Sequence, residues 1–297
     1  MTAQNVTLAY VASQFLSQPG YAKRTLRSYE QTLLNLLQKY GSIPVQELTR
    51  QDLEAYLNGL AHLAYTTHRR HQAIVAALFN FAVERGYLVA NPIARLKTRK
   101  PDRDKGEHNS DEPVLYLTPE QLALLYEATA SEYRLGALVR LLHQTGARVS
   151  EVLALDWGDV DNACRKFQVV GKGNKQRWCF YGDDAAAALD LYLRYERHAD
   201  HDALFTAAQP FSGKASRLSY ATAYKDFTAA IAPYPQLHQI RLHDLRHTFA
   251  TERVGLMGIE ELRALMGHEN IQTTLRYQKV TSARAEVVAR QALQTLR

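Results

Sequence analysis

Residues 97–113, KTRKPDRDKGEHNSDEP, contain no aliphatic or aromatic side chain, and hold five basic and five acidic groups together with Pro101, Gly106 and Pro113. A segment of this composition cannot withdraw enough apolar surface from water to offset the chain entropy lost on ordering. It reads as a linker. Whatever folds must do so as two bodies, residues 1–96 and 114–297, both within the usual size range of a domain, roughly 50 to 250 residues. With 46% of the 297 residues apolar, there is material for two cores.

The first body has apolar residues at three-and-four spacing, as in Leu26, Tyr29, Leu33, Leu36 and Leu37. That period predicts amphipathic helices over about 6–18, 24–40, 49–63 and 66–86. Gly20, Gly41, Pro44 and Gly86 punctuate them, and Asn91-Pro92 closes the segment. The expectation is a small all-helical domain. Its nine Lys/Arg against five Asp/Glu carry +4 of the chain's net +6.

The second body is predicted to be mostly helical as well. Thr118-Pro119-Glu120-Gln121 combines a hydroxyl cap, a first-turn proline and a Gln at the capping-box position, which marks a helix start. Lys166–Val170 and Arg177–Phe180 are β-prone runs flanking Gly171-Lys172-Gly173-Asn174-Lys175-Gln176, a hairpin with a basic tip. Helices are expected near 183–198, 217–231, 243–254, 259–266 and 282–295. The fold class is therefore mainly α, with one small β-hairpin.

Several classes of function drop out at once. No run approaches the ~20 apolar residues of a membrane span, and MTAQNVTLAY lacks the charged start and long apolar stretch of a secretion signal, so a cytoplasmic protein is expected. Cys164 and Cys179, the two cysteines, have no paired-ligand spacing, which argues against a disulfide framework or a thiolate zinc site. The +6 charge and a pI near 9.2 permit nucleic acid as a partner without requiring it.

Three polar clusters stand out in the second body. In Leu242-His243-Asp244-Leu245-Arg246-His247-Thr248-Phe249, His243 and Arg246 share a helix face while Leu245 and Phe249 anchor it. By itself such a face is commonly just solvated. His243 and His247 have a four-residue spacing seen in zinc sites, but Asp244 stands where the catalytic Glu of His-Glu-x-x-His belongs, so no metal is expected. In Thr145-Gly146-Ala147-Arg148-Val149-Ser150-Glu151, the Arg148/Glu151 spacing suits either a plain helix ion pair or an arginine held for phosphate, whose oxygens its planar fork can grip in pairs. The third cluster, Leu265-Met266-Gly267-His268-Glu269-Asn270-Ile271-Gln272-Thr273-Thr274-Leu275-Arg276-Tyr277, ends in one of 17 tyrosines, unremarkable alone.

Taken together, the three clusters resemble the tyrosine recombinase (phage integrase) family in its compact two-domain, Xer-like form. The resemblance spans both bodies and is most specific in TGARVSEVLAL, HDLRHTFAT and LMGHENIQTTLRY. By motif, Arg148 resembles the family's first catalytic arginine, Glu151 its orienting acid, and Lys172 its hairpin lysine. His243 and Arg246 match the His-x-x-Arg pair, His268 the position held by His or Trp, and Tyr277 the nucleophile.

The resemblance implies a site-specific DNA recombinase that cleaves and rejoins strands through a 3′-phosphotyrosine intermediate, in dimer resolution or in integration and excision of a mobile element. Arg148 and Arg246 would stabilise phosphate charge without a metal or other cofactor. Lys172, or Lys175 three residues on, would protonate the leaving 5′-oxygen, while His243 would act as base toward the Tyr277 hydroxyl and His268 would donate a hydrogen bond to phosphate. Arg24 and Arg27, and His68, Arg69 and Arg70, lie at helix starts of the first body and are expected at DNA, as is Lys175. The implied partner is a double-stranded recombination site bound by a homotetramer, with a second recombinase or accessory protein possible, at the nucleoid. The tail from 281 to 297 is expected to dock on a neighbouring protomer. A catalytically inactive DNA-binding regulator and a type IB topoisomerase are the competing readings.

Overall fold

The computed structural model describes residues 5–102, 104, 107, 115–171, 175–209, 212–278, 290 and 293. The chain divides into two compact units, Met1–Glu112 and Pro113–Arg297.

The first unit is built on α1 (Leu8–Leu16), α2 (Lys23–Tyr40), α3 (Arg50–Gly59) and α4 (Tyr65–Glu84). Thr7 caps α1, and α3 opens with a capping box in which Thr49 and Asp52 exchange side-chain and backbone bonds. Leu8, Val11, Phe15, Leu33, Leu36, Leu78 and Phe79 form the core, in register with the three-and-four spacing of the sequence.

Within the 97–113 segment, Arg99 and Glu107 are tied to the first unit. The Glu107 carboxylate receives Arg99 Nη1 at 2.5 Å, Arg99 Nη2 at 2.7 Å and the backbone N–H of Tyr65 at 2.9 Å. Arg99 also donates to the Leu63 carbonyl at 2.9 Å. The start of α4 has no side-chain cap of its own, so Glu107 supplies the acceptor that the helix N-terminus lacks. The paired guanidinium of Arg99 is the first cause that pulls the Glu107 carboxyl down to about 2. A hydrophobicity argument cannot see such an attachment, because it is polar and reaches 42 residues along the chain.

In the second unit, α5 (Pro119–Ala128) begins at the Thr118/Gln121 capping box. α6 (Tyr133–Thr145) runs through the core and stops at Gly146, whose φ of +62° is left-handed; short α7 (Val149–Ala154) follows. β1 (Val160–Asp161), β2 (Lys166–Val170) and β3 (Gln176–Phe180) form an antiparallel sheet in which Phe167 faces Cys179 and Val169 faces Arg177. After α8 (Asp183–Tyr195), a second hairpin of β4 (Thr206–Ala208) and β5 (Ala215–Arg217) occupies residues where the periodicity places the start of a helix at 217. α9 therefore spans Tyr220–Ile231, capped by Ser219. α10 (Asp244–Arg253), α11 (Ile259–Met266) and α12 (Ile271–Leu275) complete the described elements. The helix expected over 282–295, within the tail, lies outside the described residues apart from Arg290 and Leu293.

The main core gathers Leu138, Leu142, Val152, Phe167, Tyr192, Phe205, Phe227 and Leu245. A smaller cluster of Phe249, Ala250, Leu262 and Met266 packs α10 against α11 and takes Tyr277 at its edge. Among the described residues no helix is long and apolar enough to cross a membrane.

Candidate active site

The site grows out of the turn between α6 and α7. A Cβ on Gly146 would lie 2.4 Å from the Phe249 ring, so glycine meets two needs there: a left-handed φ and the close approach of α10. Its carbonyl, turned out by that geometry, accepts Arg246 Nη1 at 2.6 Å, and Arg246 Nη2 donates to the Met266 carbonyl at 2.6 Å. Arg246 is thereby pinned between three elements while only 3% exposed. Burial, then the neighbouring Arg148 and Arg177 charges, lowers its guanidinium to about 10, still a cation at neutral pH.

Two residues beyond Gly146, extended Arg148 caps α7. Its backbone N–H donates to Glu151 Oε2 at 2.7 Å and its Nη1 to Oε1 at 2.9 Å. Arg177 on β3 binds the same carboxylate from the other side, Nη1 to Oε1 at 3.0 Å and Nη2 to Oε2 at 2.6 Å. Burial opposes ionisation of Glu151, yet the Arg177 bonds and the Arg148 backbone outweigh it and hold the carboxyl at about 2.

His268 follows Gly267, another left-handed glycine, and is buried with Nδ1 2.9 Å from Thr274 Oγ1. Burial and the surrounding guanidiniums lower it to about 4. Tyr277 sits two residues past the end of α12 with its ring nearly parallel to that of His268. Its phenol oxygen lies 2.7 Å from Nδ1 of His247, with the tautomer deciding which atom donates. His243 stands edge-on to His247, ring centroids 4.8 Å apart. Burial, followed by the His243 charge, lowers His247 to about 4, and burial with Arg246 lowers His243. Burial raises the Tyr277 phenol, against the pull of Arg246, Arg276 and Arg148.

Arg148, His243, Arg246, His247, His268 and Tyr277 line a single cavity of about 200 Å³. A larger one of about 580 Å³ shares Arg148 and His268 and is bordered by Gly171, Lys175 and Arg177. A cavity ringed by guanidiniums and neutral imidazoles, with a phenol at one wall, suits a phosphate ester and a proton-accepting partner for the phenol.

Measured against the sequence, the three clusters meet. Lys172 lies outside the described residues. Lys175 is exposed, with Nζ 3.4 Å from Glu269 Oε1. Arg24, Arg27, Arg69 and Arg70 are exposed on the first unit. His68 is a correction: it is only 5% exposed, and its Nε2 bonds the Leu57 carbonyl at 2.9 Å. Its position on α4 turns it to the core while Arg69 and Arg70 turn out, so it cannot present itself to DNA as grouped with them. Reasoning from the motif paired His243 with the Tyr277 hydroxyl, whereas the residue within hydrogen-bond distance is His247, weighed only as half of a zinc pair. Arg177 was not singled out, although an arginine on the same sheet face as buried Val169 and Cys179 was a signal. Among the described residues no group of three or more His, Cys, Asp or Glu is arranged to hold a metal.

Comparison with known proteins agrees with this arrangement. Residues 116–284 match the phage integrase family and 5–99 the phage integrase central domain. The chain is 32% identical to tyrosine recombinase XerC of Corynebacterium efficiens over 284 residues, covering 92% of this chain and 86% of that protein. It is 30% identical to tyrosine recombinase XerD of Mycobacterium leprae over 285 residues, covering 88% of each. Among solved structures, the Tn1549 transposon integrase in complex with a circular intermediate DNA superposes with a TM-score of 0.76 at 19% identity, covering 96% of this chain and 99% of that one. A lambda integrase tetramer bound to a Holliday junction gives 0.69 at 17%, covering 89% and 78%. These two likenesses concern the fold. The matched family regions and the curated relatives go further: the chain belongs to the phage integrase family and is a site-specific recombinase of the tyrosine class.

Proposed function

We propose that the protein cuts and rejoins DNA through a covalent phosphotyrosine on Tyr277. The observation that carries this reading is the Tyr277 phenol, 2.7 Å from a histidine and facing one cavity with Arg148 and Arg246. The phenol oxygen attacks the scissile phosphorus, forming the P–O bond to tyrosine as the bond to the 5′-oxygen breaks. The phenol proton passes to His247, and the leaving 5′-oxygen takes a proton from Lys172. Arg148 and Arg246 balance the charge that grows on the non-bridging oxygens, each worth several kcal/mol in a site that excludes water. His268 and His243 hydrogen-bond the phosphate. Attack by a 5′-hydroxyl of another strand reverses the step, so bond energy is kept.

Arg24, Arg27, Arg69 and Arg70 supply phosphate contacts from the first unit, and Lys175 from the second, giving affinity but little sequence preference. The assembly is a homotetramer on two sites, with a partner recombinase or accessory protein as an option, acting at the nucleoid in the cytoplasm. The relatives named XerC and XerD favour dimer resolution over mobile-element integration. Its domains are a helical DNA-binding body and a catalytic body, joined through the 97–113 segment.

The test selects bound fragments from genomic DNA, builds them into nicked suicide substrates, and resolves protein–DNA adducts on denaturing gels. Wild type forms the adduct and Tyr277→Phe forms none. An adduct of equal yield from Tyr277→Phe sinks the assignment.

A further inference from the structure

Arg177 is built to hold and not to bind substrate. Its side chain is only 9% exposed, and three guanidinium nitrogens are committed: Nη1 and Nη2 to Glu151, and Nε to the Leu265 carbonyl at 2.9 Å. Arg148, on the same carboxylate, is the opposite case. It gives one guanidinium nitrogen to Glu151, its side chain is 39% exposed, and it lines the reaction cavity.

The placement of Arg177 is also more than a local ion pair. It sits on β3, paired with β2, and Gly171 is tied back to Lys175 by a backbone bond of 2.8 Å. The bond to Leu265 reaches the last turn of α11, where the chain then bends through Gly267 into His268. A Cβ on Gly267 would lie 3.0 Å from Arg177 Nη1 and 3.1 Å from its Cδ, so the guanidinium packs flush against that turn. One planar side chain thus touches the carboxylate that aims Arg148, the strand of the hairpin, and the turn that sets His268.

We infer that Arg177 is a positioning residue for strand cleavage, fixing Arg148 and His268 relative to each other through Glu151 and the Leu265 carbonyl. The inference rests on the phosphotyrosine reading. A planar fork is needed because two parallel bonds to the carboxylate fix its rotation, and the third, at Nε, fixes the fork itself. With Arg177 gone, Arg148 is the one direct partner that Glu151 keeps among the described residues. Among the described residues, Arg246 and the thiol of Cys179 are further titratable groups that interact with it. Burial then acts on the carboxyl with less opposition and shifts its protonation upward in pH.

The test uses the full chain and the suicide substrate, measuring single-turnover adduct formation between pH 5 and 8, site binding by gel shift, and thermal unfolding. Arg177→Gln is expected to slow adduct formation about 10- to 100-fold, the range typical of lost supporting contacts, with binding kept within a few-fold. It also gains an acid limb that wild type lacks, as Glu151 protonates. Arg177→Lys restores a cation without the fork: the acid limb disappears while the plateau stays below wild type. A Gln variant at the wild-type rate, or one slowed equally at every pH in step with lost unfolding temperature, overturns the inference. Should the Gln variant not fold, the Lys variant decides alone, and a wild-type plateau overturns it. Absence of adduct from wild type overturns the recombinase reading and the inference with it, whereas adduct from wild type that Arg177→Gln leaves undiminished removes only the latter.

Discussion

Nδ1 of His247 lies 2.7 Å from the Tyr277 phenol oxygen, a contact that joins α10 to the residue just beyond α12. It pairs a phenol that burial makes harder to ionise with an imidazole that burial keeps uncharged. A neutral imidazole in the right tautomer is an acceptor. The lowered imidazole keeps His247 available as an acceptor, since a charged His247 could take no proton from Tyr277, while the raised phenol adds to the cost of the transfer.

From this contact, His247→Ala should lower the rate of adduct formation about 10²- to 10⁴-fold, the span of a lost general base. His243→Ala should cost less, because its ring touches His247 and not the phenol, and only the His247→Ala loss should shrink at high pH, where hydroxide relieves the need for a base. Rate against pH for the two variants checks this. A larger loss in His243→Ala, with His247→Ala near wild type, returns the base role to His243.

Gly146→Ala should destabilise the second unit by about 2 to 4 kcal/mol, combining a left-handed φ without glycine and overpacking against Phe249. Because the Gly146 carbonyl holds Arg246, adduct formation should fall as well, even below the unfolding temperature. Urea denaturation and single-turnover cleavage measure the two effects; a variant as stable as wild type contradicts the packing argument.

Stability should fall on acidification from pH 6.5 toward about 4. In the folded chain His247 and His268 are held at about 4, whereas unfolded histidine titrates near 6.5, so across that window the unfolded state binds more protons. Stability therefore rises with pH there and is lost as pH drops. Below the ordinary value of 4.5, Glu151 adds its own loss as protonation approaches its folded value of about 2. The unfolding temperature of wild type between pH 8 and 4 should slope more steeply than that of a His247→Phe, His268→Phe double variant; parallel curves would contradict the cause given.

Much of the fold was legible in residue spacing. Leu33 and Leu36 land in the first core, the Thr118/Gln121 box opens α5, and the β-prone runs pair with each other as β2 and β3. Each is a local property, fixed by neighbours within about four residues or by a tight turn. His68 was misread because a helix start with three consecutive basic groups does not reveal which one faces inward. The attachment of Glu107 to the start of α4 was not legible because Tyr65 is remote from it in sequence.

What the sequence determined by itself is the cast of groups: two arginines, an acid, a hairpin lysine, histidines at two motif positions, and a tyrosine, in the order that marks the family. Tertiary structure alone decided their division of labour. Gly146, Glu151, Leu265 and Tyr277 are brought together by helix packing across more than a hundred residues, and hydrogen bonding is a matter of ångströms that spacing along a chain cannot resolve. That is why His247, and not His243, reaches the phenol, and why Arg177 surfaced only once β3 lay against α7 and α11.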